Sequence, residues 1–482
     1  MRKRSTSYYW RKLRGHNRLR NQAVDHFETG QFEQAATLVA KGRSRFPDSD
    51  VFRILAAKLA MLSDRREEAR QSLSGIVLSR YDRVEDCLEA GEIFRRLGDY
   101  DRAVDWFELA ASEGGVTATH AYRVLASLLL RSGRYDQALR AALDGLKGGG
   151  WNSFAVITSL ADNCSDDGIT SAIDELEHFH CADPYLNANR LKMLAYFNLA
   201  AGRKQDAIDS IGRATRTQYL VDHPDGGWDD SVARLKPSFL VIGAMKSGTT
   251  AIYNHLARHP QVCPPLTKEL HFFENGLYPS GFYFAQFPRV AGNVISGEAS
   301  PGYYALDIAA RVRELLPDVK LIFIRRDPVD RAISHLFHNH RAAIQEHPSS
   351  SLKRGTRRIL ELTRQSPAEL ATALKHVGSD ELRVNHYLLL GCYDLLLRSW
   401  YQHFPADRIL NLEFETFVSQ PQATMDRVFE FLEIEPFELA ELSSRKERNA
   451  GQYQTDDATL EEIRTHLREF YERVEINLRR AG

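Results

Sequence analysis

Six alanines keep step along the N-terminal part of this 482-residue chain: Ala35, Ala69, Ala103, Ala138, Ala172 and Ala207, at intervals of 34, 34, 35, 34 and 35. Their lead-ins rhyme. Gly30-Gln31-Phe32-Glu33-Gln34-Ala35, Gly98-Asp99-Tyr100-Asp101-Arg102-Ala103, Gly133-Arg134-Tyr135-Asp136-Gln137-Ala138 and Gly202-Arg203-Lys204-Gln205-Asp206-Ala207 share a glycine five places before the alanine, three of them with an aromatic two places after it. A period of this length in a helical pattern marks stacked units, none of which can bury its apolar face alone. The glycine permits a tight turn, the aromatic is expected to pack across it, and the alanine lets two helices approach. Two units depart: Asp64-Arg65-Arg66-Glu67-Glu68-Ala69 lacks the glycine, and Asp167-Gly168-Ile169-Thr170-Ser171-Ala172 has it one place late.

The pattern resembles the tetratricopeptide repeat, which implies an all-α domain of about six units over 17–216, wound into a superhelix with a concave groove. That groove is expected to take a protein partner, the acceptor of a reaction, or a second copy of the chain. Ahead of it, residues 1–16 read as a basic arm holding Arg2, Lys3, Arg4, Arg11, Lys12 and Arg14 among Tyr8, Tyr9 and Trp10. A solvated, partly disordered arm is the expectation, with a patch for anionic lipid or polymer as the alternative. Behind it, Asp222-His223-Pro224-Asp225-Gly226-Gly227-Trp228 breaks the apolar periodicity, so a linker is expected over 217–236, docked by Trp228.

Net charge is −1, which argues against a nucleic-acid partner held by a global field. No apolar run has the length of a membrane span, and no secretory signal is visible. The cysteines, Cys87, Cys164, Cys181, Cys263 and Cys392, lack C-x-x-C spacing and fit reduced thiols. A cytoplasmic protein is expected, with peripheral association at a membrane as a variant.

From Lys236 the pattern turns to strand alternating with helix, so residues 237–482 are expected to form an α/β, P-loop-like domain: a parallel sheet flanked by helices. Candidate strands are Phe239–Gly243, Val294–Glu298, Lys320–Ile324 and Ile409–Glu413. Candidate helices are Thr249–Arg258, Tyr304–Leu316, Pro328–Arg341, Leu389–Phe404, Gln422–Leu432 and Leu460–Leu478. After the first strand, Gly243-Ala244-Met245-Lys246-Ser247-Gly248-Thr249-Thr250 forms a small-residue turn into a helix, an arrangement that converges backbone N–H groups on an anion. Gly243 and Gly248 keep the P-loop spacing, yet Thr249 stands where a nucleotidase needs lysine, and the lysine lies inside the loop at Lys246. A cation there suits a short phosphate-linked leaving group rather than a triphosphate. After the third strand, Arg326-Asp327-Pro328-Val329-Asp330-Arg331-Ala332-Ile333-Ser334 starts a helix at Pro328. An arginine at a strand end and a serine on the next helix can clamp a second phosphate.

Together these segments resemble the 5′-phosphosulfate loop and the 3′-phosphate segment of sulfotransferases that use 3′-phosphoadenosine 5′-phosphosulfate (PAPS). The nearest look is to heparan sulfate N- and 3-O-sulfotransferases and their bacterial relatives. Lys268-Glu269-Leu270-His271-Phe272-Phe273 is similar to one block of that family, and Gly297-Glu298-Ala299-Ser300-Pro301-Gly302-Tyr303 to another. The resemblance implies that Lys246, with the N–H groups of Ser247, Gly248, Thr249 and Thr250, holds the 5′-phosphosulfate. It implies that Arg326 and Ser334 hold the 3′-phosphate, that Glu269 is the general base, and that His271 supports it or contacts the acceptor. PAPS is then the sulfuryl donor, no metal is demanded, and the acceptor is a hydroxyl or amine of a saccharide or glycoconjugate.

Two departures stand out. The family's lysine after Gly-Glu is Ala299, one cation fewer toward a polyanionic glycan, and the family's C-terminal basic loop has a loose counterpart in which Arg448 would reach the 3′-phosphate. The block 342–385 reads as a lid over the acceptor or as a solvated insertion. The alternatives are a P-loop nucleotide kinase or hydrolase needing Mg²⁺, and a repeat-based adaptor with an inactive fold.

Overall fold

The computed structural model describes residues 2–63, 65–77, 84–112, 115–150, 152–274, 276, 278–339, 386–439 and 457–481. The chain divides into two compact units, 1–202 and 203–482. Arg448 and the whole block 342–385 lie outside the described residues.

The first unit is all helix: α1 (Arg2–Glu28), α2 (Phe32–Arg45), α3 (Asp50–Leu62), α4 (Arg66–Leu73), α5 (Val84–Leu97), α6 (Tyr100–Ser112), α7 (Gly115–Arg131), α8 (Tyr135–Lys147), α9 (Phe154–Asn163), α10 (Asp166–His178) and α11 (Pro184–Ala200). Consecutive helices pack as pairs, α1 with α2, α3 with α4, α5 with α6 and α7 with α8. Each of the six periodic alanines is buried. Four of the five in this unit, Ala35, Ala69, Ala103 and Ala138, stand at the fourth position of their helix. Gly30, Gly98, Gly133 and Gly202 hold φ between 71° and 81°, a left-handed turn that a side chain resists. In the fifth unit Gly168 lies inside α10, and Ser165 takes over the helix start by accepting the Gly168 N–H at 3.1 Å.

The aromatic after the turn packs across it at Phe32, edge-on against Phe27, while Phe32 and Tyr100 stay 46% and 49% exposed and Tyr135 is half-buried. One expectation changes here. Residues 2–16 of the arm expected to be partly disordered belong to α1, which runs on to Glu28 with no proline to interrupt it.

The second unit opens with α12 (Lys204–Asp222), which carries Ala207 and was expected within the repeat domain. It packs on α14 (Ser280–Phe284): Thr215 donates to the Ala285 carbonyl at 2.9 Å and Ile208 lies against Gly281. The stretch expected as a linker runs along the same face, with Leu235 N–H bonded to Pro288 O and Trp228 paired with Val290. Its breakers are confined to 223–227, so flanking residues are left to pack.

A four-stranded sheet follows, β1 (Pro237–Gly243), β2 (Ser296–Glu298), β3 (Lys320–Arg325) and β4 (Ile409–Glu413), in the order β2-β1-β3-β4 and parallel throughout. All four strands fall where the apolar runs place them. Alternation sorts β1 cleanly. Leu240 and Ile242 join Tyr303, Tyr304, Leu397 and Trp400 on one face, whereas Phe239 and Val241 join Ile252, Leu256, Val428 and Phe429 on the other. The covering helices are α13 (Thr249–Leu256), α15 (Ala309–Leu315), α16 (Pro328–Asn339), α17 (His386–Leu389), α18 (Tyr393–His403), α19 (Phe414–Ser419), α20 (Pro421–Leu432) and α21 (Asp457–Ala481). The single helix expected over Leu389–Phe404 is broken at Gly391, where the Tyr471 ring of α21 leaves no room for a side chain. Because β1 sits between β2 and β3, the crevice at the carboxyl ends of β1 and β3 is the topological switch point, the usual ligand position in such sheets.

Candidate functional site

Two polypeptide turns meet at that crevice. The loop after β1 closes on itself through Ser247 N–H to Ala244 O at 3.2 Å. Gly248, at φ 86°, then caps α13. Helix geometry leaves the first N–H groups of α13 without an acceptor inside the helix, so Gly248, Thr249 and Thr250 present theirs at the loop's mouth. Ser247 and Thr249 are buried, Thr250 is exposed, and the Lys246 backbone stands at φ 68°. A left-handed lysine is strained, and such strain gathers at functional sites. Burial, joined by the nearby Lys268 and opposed by Glu269, brings the Lys246 ammonium down to about 8.

Arg326 arrives from the end of β3, the strand beside β1. Its guanidinium donates to the Lys246 carbonyl at 2.9 Å and lies 4.6 Å from the centre of the Phe414 ring. The same ring approaches Gly248, where an added methyl would sit 3.0 Å from it. The two segments thus share one wall. Asp327 caps α16 by accepting the Asp330 N–H at 2.9 Å, and Ser334, half-buried, lies two turns into that helix. Arg331, one turn before it, is fully buried beside Tyr304, Tyr471 and Tyr393, so it belongs to the packing of α16 and not to the crevice.

Between loop and solvent stands the segment 268–274. Lys268 Nζ donates to Thr250 Oγ1 at 2.9 Å and to Glu269 Oε1 at 2.5 Å. His271 places Nε2 3.3 Å from Glu269 Oε2 and Nδ1 2.7 Å from Glu274 Oε1. Burial favours the neutral form of each group, yet the bonds outweigh it: Glu269 is held down at about 2, and His271 is raised to about 10. The ring is therefore an imidazolium between two carboxylates. His271 also adopts a left-handed backbone, φ 51°. Glu274, the far carboxylate, was not singled out from sequence; its signal was the i, i+3 spacing from His271.

Of the residues expected to act together, Lys246, Ser247, Gly248, Thr249, Thr250, Glu269, His271 and Arg326 are linked in this one crevice. Ser334 lies on the helix that Arg326 leads into.

Residues 236–475 match the family model described as "Sulfotransferase domain". This half of the chain is a sulfotransferase domain. Among curated relatives, the human bifunctional heparan sulfate N-deacetylase/N-sulfotransferase 3 is 30% identical over 210 residues, covering 42% of this chain and 22% of that protein. The mouse heparan sulfate glucosamine 3-O-sulfotransferase 3B1 is 26% identical over 243 residues, 49% of this chain and 56% of that one. The chain thus spans about a fifth to just over half of the length of these relatives. Among solved structures, a sulfotransferase from Alicyclobacillus acidocaldarius aligns over 51% of this chain and 96% of its own at 22% identity and a TM-score of 0.38. Within the sulfotransferase domain, Ala299 is fully buried in the same apolar cluster as Phe239 and Val241.

Proposed function

We propose that the chain transfers a sulfuryl group from PAPS to a hydroxyl or amine of a saccharide or glycoconjugate, releasing 3′-phosphoadenosine 5′-phosphate. The observation that carries this reading is the Lys268 ammonium, bonded at once to Thr250 of the anion cradle and to Glu269 of the carboxylate pair. An anion site and a proton acceptor one side chain apart are what group transfer to a hydroxyl requires.

The residues present fit the donor. Lys246 and the N–H groups opening α13 hold its 5′-phosphosulfate; Arg326, with guanidinium N–H groups beyond the one on Lys246 O, and Ser334 hold the 3′-phosphate. Bound there, PAPS supplies an activated sulfuryl group on a good leaving group. The Lys246 ammonium offsets the charge that builds on the leaving phosphate, and fixed N–H dipoles do so without reorganisation. Glu269, so weak a base at rest, takes the acceptor proton late, once the acceptor oxygen or nitrogen bonding to sulfur has become strongly acidic. His271 holds that carboxylate in line, and Glu274 keeps the imidazole charged. The relatives named above support a saccharide acceptor, though the missing cation at Ala299 favours one of lower charge.

The first unit is proposed to be of tetratricopeptide type, its groove taking a protein partner or a second copy. Periodic buried alanines and left-handed turn glycines support this. The scattered cysteines, which lack C-x-x-C spacing, support a reducing, cytoplasmic compartment. Among the described residues no helix is long and apolar enough to cross a membrane.

The test is incubation of the full chain with ³⁵S-labelled PAPS and panels of glycans, lipids and peptides. Label on a glycan, lost in Lys246→Ala, is the expected result. No transfer to any acceptor by a chain that hydrolyses ATP–Mg²⁺ would reject the proposal.

A further inference from the structure

The Glu298 side chain lies fully buried at the carboxyl end of β2 and takes no part in the chemistry above. Four donors converge on it. Leu270 N–H and Ser300 Oγ donate to Oε2 at 3.0 and 2.6 Å; Tyr283 and Tyr303 hydroxyls donate to Oε1 at 3.2 and 3.0 Å. Burial raises the carboxyl above its usual range, and the four bonds offset this only in part.

Those donors are also the anchors of the segment that carries Glu269 and His271. Ser300 Oγ accepts the His271 N–H at 3.1 Å, and Tyr303 Oη lies 3.4 Å from the Phe273 nitrogen. Ala299 N–H donates to Lys268 O at 2.9 Å. The backbone of 268–273 is thus pinned at Lys268, Leu270, His271 and Phe273 to the stretch 298–303. A hydroxyl has a single proton. A carboxylate, which only accepts, draws the protons of Ser300 and Tyr303 toward itself, leaving their lone pairs for the His271 and Phe273 N–H groups. The polarity of the clamp therefore runs from one buried carboxyl group, and the left-handed His271 backbone is held between its third and fourth pins.

We propose that Glu298 is a positioning residue for the Glu269–His271 pair, acting through Leu270, Ser300 and Tyr303 to fix the 268–273 backbone beside the anion cradle. This rests on the reading of Glu269 as the proton acceptor, but its direct consequence is structural and can be measured without an acceptor. In Glu298→Gln an amide N–H₂ must face either Leu270 N–H, donor against donor, or Tyr303, which must then redirect its proton toward the Phe273 N–H. Either way at least one pin is lost.

The experiment uses the full chain and three variants. Glu298→Gln and Ser300→Ala break pins, whereas Tyr283→Phe removes one bond to the same carboxylate and no pin. Hydrogen exchange is followed by mass spectrometry over 268–273 and over 244–250, the His271 ring titration by NMR, and 3′-phosphoadenosine 5′-phosphate binding by calorimetry. Expected in Glu298→Gln and Ser300→Ala is exchange at least tenfold faster in 268–273 and unchanged in 244–250. The His271 titration should fall by one pH unit or more, with nucleotide affinity within twofold of the parent. Tyr283→Phe should leave all of these near the parent. If Glu298→Gln does not fold, Ser300→Ala against Tyr283→Phe carries the comparison. Unchanged exchange and titration in both pin-breaking variants would overturn the proposal, as would acceleration spread evenly through residues 203–482 or equal in Tyr283→Phe. A parent that shows the clamp but binds no nucleotide would keep the positioning and reject the sulfotransferase reading instead.

Discussion

Lys246 is where charge and backbone strain coincide. With its ammonium lowered to about 8, it is cationic below that pH and neutral above it. Affinity for an anionic nucleotide should therefore be full near pH 7 and fall about tenfold per unit well above pH 8, until donor binding itself restores the proton. Calorimetric titration of 3′-phosphoadenosine 5′-phosphate from pH 6.5 to 9.5 checks this, and Lys246→Arg, which stays charged, should flatten the profile. Lys246→Ala should weaken binding roughly 10- to 100-fold, the loss of one charge-assisted contact of about 1.5–3 kcal/mol. Glu269→Gln has a different signature, with nucleotide binding retained and turnover lost. Because Glu269 sits at about 2 and His271 at about 10, neither imposes an acid limb on turnover between pH 5 and 7. A loss of kcat with a midpoint near 6 in that range would contradict the imidazolium assignment. In the sequence, Lys246 and Arg326 stand out because strand-end motifs carry them, and Glu269 and His271 because the Lys268–Phe273 block resembles one of the family's. It did not display Glu274 or the function of Glu298, because Glu298 acts through a contact with Leu270, 28 residues away, and Glu274 through the charge on the His271 ring.

At the scale of elements, β1 and β3 were the most legible, each a four-residue apolar run buried on both faces, whereas β2 and β4 are shorter or mixed and were placed by the alternation of strand and helix. Helix ends were less so. The helix expected over Leu389–Phe404 is interrupted around Gly391, where the Tyr471 ring excludes any side chain, a contact over 80 positions that no local pattern announces. The same logic makes Gly248 a sharp probe. It combines φ 86° with a Phe414 ring 3.0 Å from any added methyl, so Gly248→Ala should cost about 1–2 kcal/mol from the backbone alone, before the clash. Gly98, at φ 81° but with open space around it, should lose only the backbone share on the same change. Urea denaturation of both variants separates strain from crowding.

For the molecule as a whole, the repeat period correctly announced a helical N-terminal unit, but it placed the boundary by counting alanines. The sixth alanine lies on α12, and that helix folds with the second unit because Thr215 and Ile208 find partners around Gly281 and Ala285. A fragment of 203–482 should therefore fold and bind nucleotide, whereas one of 237–482, stripped of α12 and the docked stretch behind it, should unfold at lower urea or aggregate. The measurement that tests the donor assignment most directly is calorimetry of the full chain with 3′-phosphoadenosine 5′-phosphate, adenosine 5′-monophosphate and ATP–Mg²⁺, repeated on Arg326→Ala. The bisphosphate should bind well above the monophosphate, with Arg326→Ala erasing most of that difference. Equal binding of mono- and bisphosphate, or preference for ATP–Mg²⁺, would contradict a nucleotide held at both ends by Lys246 and Arg326.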